Sequence, residues 1–196
     1  MNTFAVGNHL VAGAYPLYVS YEDGSAGGSN VYLMASYDGG RSWTNPFLVN
    51  DNPPSEDTEA LQPNLGVAPN GTVAVAFYDR RLPCPTAGAE ATKAGLQFDP
   101  NAPYGAHDYC VNTAVQFYAP SLAPLGHNVR LSAHTWDPQL SAPRPSCICT
   151  SGTFIGDYFG LDSAAGWTYT TSVSTYDDGA NPSNYQQQVV ARIATP

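Results

Sequence analysis

The chain has 196 residues, of which 43% are hydrophobic and 12% charged; that is enough for one sizeable core and too apolar for a disordered tail. Its net charge of −9 works against nucleic acid and anionic membrane surfaces as partners, since both repel it. No stretch is long and apolar enough to span a bilayer, so no membrane insertion is expected, while 18 Gly, 17 Pro and 13 Tyr point to turns and strands, an all-β chain.

The first unit covers about residues 4–50. Phe4 to Ala12 reads as an inner strand and Leu17 to Tyr21 as a second, stopped by Glu22-Asp23-Gly24. Val31 to Ala35 is a third strand, and Trp43 to Val49 the outer one. Between the last two lies Ser36-Tyr37-Asp38-Gly39-Gly40-Arg41-Ser42-Trp43. Asp38 and Ser36 can accept hydrogen bonds from backbone N–H groups of their own turn. Gly39 and Gly40 can take the positive φ that a tight hairpin demands. Trp43 is expected to pack its apolar body beneath the turn.

Residues 51–62 read as a polar connection. Its Glu56, Asp57 and Glu59 are a solvated loop unless several oxygens converge on calcium. The second unit covers about 60–137. Asn70-Gly71 is a strong hairpin turn between Leu65–Ala68 and Thr72–Tyr78, and the latter run is apolar on both faces, as in a strand sandwiched between sheets. Asn70-Gly71-Thr72 is also a glycosylation sequon, which the turn alone explains. Residues 82–109 form a long insertion with a short helix expected over 89–96; insertions of this length are often functional. Cys84 and Cys110 flank it, and a disulfide between them would staple its ends. Strands resume at Val111–Tyr118 and Val129–Trp136. The third unit, about 152–196, holds strands at Phe154–Leu161, Tyr169–Tyr176 and Gln186–Ile193 and stops without an outer strand.

Tyr21-Glu22, Tyr78-Asp79 and Tyr176-Asp177 each end a strand with an aromatic followed by an acid, a repeat of three β units within one domain spanning 1–196. Cys147 and Cys149 either pair in a small ring or stay reduced. A zinc site would need a wider Cys spacing with further ligands nearby, and His107, His127 and His134 are scattered, so neither metal nor cofactor is expected. Four cysteines with a single lysine, Lys93, fit an extracellular or secreted protein. The start of the chain lacks a basic segment followed by an apolar run, so no signal peptide is expected there.

The stretch Ser36 to Trp43 matches the Asp-box pattern Ser/Thr-x-Asp-x-Gly-x-Ser/Thr-Trp, with Ser36, Asp38, Gly40, Ser42 and Trp43 at its defined positions. In this the chain resembles the sialidase-like superfamily of Asp-box (BNR repeat) β-propellers. Phe77-Tyr78-Asp79-Arg80-Arg81 and Phe154-Ile155-Gly156-Asp157-Tyr158 resemble stretches of secreted members. The resemblance implies a propeller segment of about three four-stranded blades, with a plain β-sandwich as the rival. It further implies a glycoside hydrolase that acts on a terminal sialic acid of a glycan or glycoprotein. Family members clamp the substrate carboxylate with three arginines, use a tyrosine assisted by a glutamate as nucleophile, and use an aspartate as acid/base. On this chain Asp79 or Asp157 is the acid/base candidate, Tyr158 or Tyr78 the hydroxyl, and Arg80 and Arg81 the carboxylate binders. The family's Phe/Tyr-Arg-Ile-Pro motif is missing, which puts a complete arginine triad in doubt. Each candidate has a structural rival: Asp79 and Arg80 as a strand-end ion pair, Asp157 and Tyr158 as hydrogen-bonding groups of the blade core. The alternative function is a non-catalytic propeller that binds glycan or protein. Three blades are too few to close a ring, so a homodimer completing the propeller, or a longer chain, is expected.

Overall fold

The structure, a computed structural model, describes residues 2–25, 27–52, 58–95, 107, 109–138 and 159–196. It is an all-β molecule of three antiparallel sheets, none of them closed. Sheet 1 runs β1 (Asn2–Val6), β2 (Leu17–Asp23), β3 (Asn30–Ser36) and β4 (Phe47–Leu48) in chain order. Sheet 2 does the same with β5 (Ala60–Val67), β6 (Val73–Asp79), β7 (Asn112–Tyr118) and β8 (Val129–Arg130). Sheet 3 has three strands, β9 (Gly160–Ala164), β10 (Trp167–Ser174) and β11 (Gln187–Ala194). The first strand of sheet 2 lies against β1 and β2 on one side and against β9 on the other.

Strand length follows local chemistry. β1 ends before Gly7, and the chain turns back through Ala12 and Gly13, both at positive φ, where an inner strand to Ala12 was expected. β4 shrinks to Phe47–Leu48 because Pro46 just before it has no N–H to give a ladder. β8 is equally short; beyond it Leu131 N–H bonds Thr113 O at 2.7 Å, and the chain meets the sheet again at the Val111–Trp136 bridge. β5 begins earlier than the polar sequence implies. It accommodates Gln62 at φ 49° and Pro63 by a register shift between Leu61 and Asn64. The insertion carries a helix, α1 (Gly88–Ala94), capped by Gly95 at φ 89°.

Sheet 2 is the centre of the molecule, with every residue of β6 and β7 buried. Tyr18, Leu33, Val73, Val75 and Phe77 fill the space between sheets 1 and 2. Tyr78, Val115, Phe117, Trp136 and Phe159 fill that between sheets 2 and 3. Here β5 and β9 pack so closely that a Cβ on Gly66 would come against Leu161 Cδ2 and require that side chain to shift.

Because each sheet is a meander, its connections alternate between two ends. The β1–β2, β3–β4, β5–β6, β7–β8 and β9–β10 turns share one end, where Asn8 Nδ2 donates to Ala68 O (2.8 Å) and Thr72 Oγ1 to Pro196 O (2.8 Å). The longer connections gather at the other end. There Arg80 N–H bonds Glu59 O (3.0 Å), and Asp137 N–H and Asp177 N–H bond the carbonyls of Ala94 and Lys93 (3.0 and 2.8 Å). Among the described residues, no helix is long and apolar enough to cross a membrane.

Candidate functional site

At the end of β6 the chain leaves the sheet through Asp79, Arg80 and Arg81, and the alternation of the strand sends the two arginines in different directions. Arg80 turns toward the start of β5. Its Nη1 lies 2.6 Å from Glu59 Oε2, and its Nη2 donates to Tyr109 O at 3.2 Å. Arg81 turns toward sheet 1. Its Nη1 meets Asp51 Oδ1 at 2.6 Å, its Nε lies 2.7 Å from Asp79 Oδ2, and its Nη2 donates to Asn128 Oδ1 at 2.8 Å. Asn128 in turn gives its backbone N–H to Asp51 Oδ2 (3.0 Å) and its Nδ2 to Val49 O (2.9 Å) and Gln116 Oε1 (2.8 Å). Two carboxylates and an amide thus occupy the guanidinium of Arg81, and a ligand carboxylate would have to exchange with one of them.

The electrostatics separate the two acids. Burial pushes the Asp79 carboxyl above its ordinary range, and the Arg81 backbone N–H and charge draw it only part of the way back. At Asp51 burial again acts upward, but the hydrogen bonds from Arg81 and Asn128 and the Arg81 charge outweigh it, and the carboxyl ends below its usual range. Asp79 is thus the carboxyl of this cluster better suited to hold a proton, and Asp51 the standing anion. Arg130 has its affinity for a proton lowered by burial and partly restored by Asp79.

Tyr78 is fully buried. Its hydroxyl accepts from Val173 N–H at 2.8 Å, and its ring meets Phe159 and Trp136 edge-on at 5.0 and 6.3 Å. Burial raises its hydroxyl to about 12, the Val173 bond opposing. Tyr78 therefore ties sheet 2 to sheet 3. Asp157 and Tyr158 lie outside the described residues, as do Glu56, Asp57, Cys147 and Cys149. Cys84 and Cys110 form a disulfide with their Cα atoms 5.3 Å apart. In the sequence Glu59 reads as part of a solvated loop, and Asp51 and Asn128 carry no signal of a site. Each is an ordinary polar residue in a connection, and no local signal marks it as a partner of an arginine.

The Ser36–Ser42 turn sits at the opposite end, between β3 and β4. Asp38 Oδ1 accepts from Arg41 N–H and Ser42 N–H, both at 2.9 Å, and from Ser36 Oγ at 2.8 Å. Its Oδ2 accepts from Ser42 Oγ at 2.6 Å, while Ser36 Oγ takes the Gly40 N–H at 2.8 Å. Gly39 and Gly40 adopt φ of 76° and 88°. The Ser42 hydroxyl and N–H, followed by Ser36, hold the Asp38 carboxyl down at about 2. Trp43 remains 37% exposed rather than packed beneath the turn. No protein-family model matches the chain, and no curated protein matches it significantly.

Proposed function

We propose that the chain is a segment of a sialidase-like Asp-box propeller and that it serves an exo-acting glycoside hydrolase, extracellular or secreted. The observation that carries this is the hydrogen-bond circuit closed by Asp38 across Ser36, Gly40, Arg41 and Ser42, made by the residues through which the sequence resembles that superfamily. The stacking of successive meander sheets through β1, β5 and β9 supports the same reading. In this reading the working end is the one opposite the Asp38 turn. Asp79 serves as acid/base with Asp157 as its rival, and Arg80 and Arg81 bind a substrate carboxylate by exchange with Glu59 and Asp51. The reacting hydroxyl falls to Tyr158, since Tyr78 is committed to the core.

A fluorogenic sialoside tests this. Release of the fluorophore is expected, falling about a hundredfold or more in Arg81→Ala as a charge-assisted substrate contact is lost. A folded Arg81→Ala protein with unchanged turnover would remove that residue from the site. A second reading, a non-catalytic propeller that binds glycan or protein, is favoured by the ion pairs that already occupy Arg80 and Arg81. It predicts binding without turnover.

We further propose that a second copy of the chain completes the ring. Both outer faces of the stack carry exposed apolar side chains: Phe4 (57%) and Val6 (52%) on sheet 1, and Trp167, Tyr169 and Val190 (71%) on sheet 3.

A further inference from the structure

The two sheet–sheet interfaces differ in chemistry. Between sheets 1 and 2 the filling is aliphatic and aromatic. Between sheets 2 and 3 the packing gives way, toward the outer strands, to a cleft of about 350 Å³ whose walls mix hydroxyl and apolar side chains. We propose that this cleft is a binding site for a neutral saccharide, separate from the Arg80–Arg81 cluster.

Its size lies within the range of small-ligand clefts, roughly 300–1,000 Å³. Thr113, Ser132, Ser172 and Ser174 supply hydroxyls to its walls, Gln187 an amide, and Val189 an apolar backing. Donors and acceptors therefore alternate with a hydrocarbon surface, the complement of a pyranose with its hydroxyl rim and C–H face. The charged lining groups are Asp178 and Arg192, and the Arg192 guanidinium is stacked 4.6 Å over the Trp167 ring. Most of the lining is uncharged, which favours an uncharged ligand.

Two buried polar atoms beside the cleft lack hydrogen-bond partners among the described residues. Thr170 follows the same face of β10 as Ser172 and Ser174, and its Oγ1 is unpaired. Asn112 accepts the Ser132 hydroxyl on its Oδ1 at 3.3 Å, and its Nδ2 is unpaired. Buried polar groups are normally hydrogen-bonded, so each of these calls for a partner such as an ordered water.

The mouth is built to present a flat ring. The His134 imidazole stacks on the Tyr176 ring at 4.0 Å and 6°. Tyr176 is buried and donates its hydroxyl to Glu90 Oε2 at 2.8 Å, and His134 Nδ1 lies 3.5 Å from the same oxygen. Glu90 belongs to α1, whose last carbonyls receive Asp137, Asp177 and Asn184, and the disulfide closes the insertion that carries α1. The exposed face of His134 is therefore held in place before a ligand arrives, which lowers the cost of stacking a sugar against it.

Titration of the amide ¹H–¹⁵N spectrum with the methyl glycosides of galactose, mannose and N-acetylglucosamine tests the assignment. At least one sugar is expected to produce saturable shifts in the millimolar range at Ser132, His134, Ser172 and Ser174, with the Asp38 turn unmoved. His134→Ala should weaken binding about fivefold to tenfold, the worth of one ring contact. The proposal is overturned by no saturable shift with any of these sugars, by shifts centred on Arg80 and Arg81, or by affinity unchanged in a folded His134→Ala protein. If that variant fails to fold, the map on the unaltered chain decides alone. Sialoside hydrolysis is read at the other cluster, so either result stands without the other.

Discussion

Asp38 and Tyr78 show how differently two polar side chains can serve one fold. Asp38 is half-buried and works locally, closing its own turn. Its depressed carboxyl means that the turn's contribution is fully present above about pH 4, the unfolded value, and is lost as the pH falls toward about 2. Asp38→Ala should accordingly lower the melting temperature at neutral pH, and the gap from the unaltered protein should narrow across that acid window. A gap that stayed constant down to pH 2 would mean that the carboxylate does not hold the turn. Tyr78 is buried and works at long range, through the Val173 N–H. Tyr78→Phe keeps the ring and strands that donor, so urea denaturation should show a loss of about 1–3 kcal/mol.

The stapled insertion is the element on which the working end depends. Residues 84 and 110 are 26 positions apart in sequence, and closing a loop of that length is worth roughly 3–4 kcal/mol in the chain-entropy model. Reduction should cost about that amount and should also release α1, whose Glu90 anchors Tyr176 and His134. Denaturation with and without dithiothreitol measures the first effect, and tyrosine hydroxyl titration the second. The Tyr176 hydroxyl is held near 12 by burial and by Glu90 and should fall toward its ordinary value of about 10 when α1 is freed. A reduced protein of unchanged stability would assign no role to the staple.

Across the whole molecule, three stacked sheets leave two apolar faces uncovered, and the predicted ring partner is a second copy of the chain. Light scattering should then give twice the chain mass. Glutamate in place of Val190, at 71% exposure, should return it to the monomer, because a buried unpaired charge at the interface is strongly disfavoured. A monomer at all concentrations would remove the second copy as the partner of these faces.

What the sequence determined by itself was local. The all-β class, the Asp38 turn and the Asn70-Gly71 hairpin depend on residues within a few positions of one another. The staple between Cys84 and Cys110 was legible because both cysteines flank a single insertion. Tertiary structure decided the rest. Three partners of Arg80 and Arg81 are 21, 30 and 47 positions away, and nothing in Glu59, Asp51 or Asn128 announces them. Tyr78 and Tyr176 look equivalent in the repeat. The stacking of sheet 3 on sheet 2 buries both, but ties one to the Val173 N–H and stacks the other under His134 at the edge of a cleft. The physical reason is that hydrogen bonding within a turn is settled by backbone geometry over a few residues. Burial and charge pairing at the strand ends depend instead on which sheets meet.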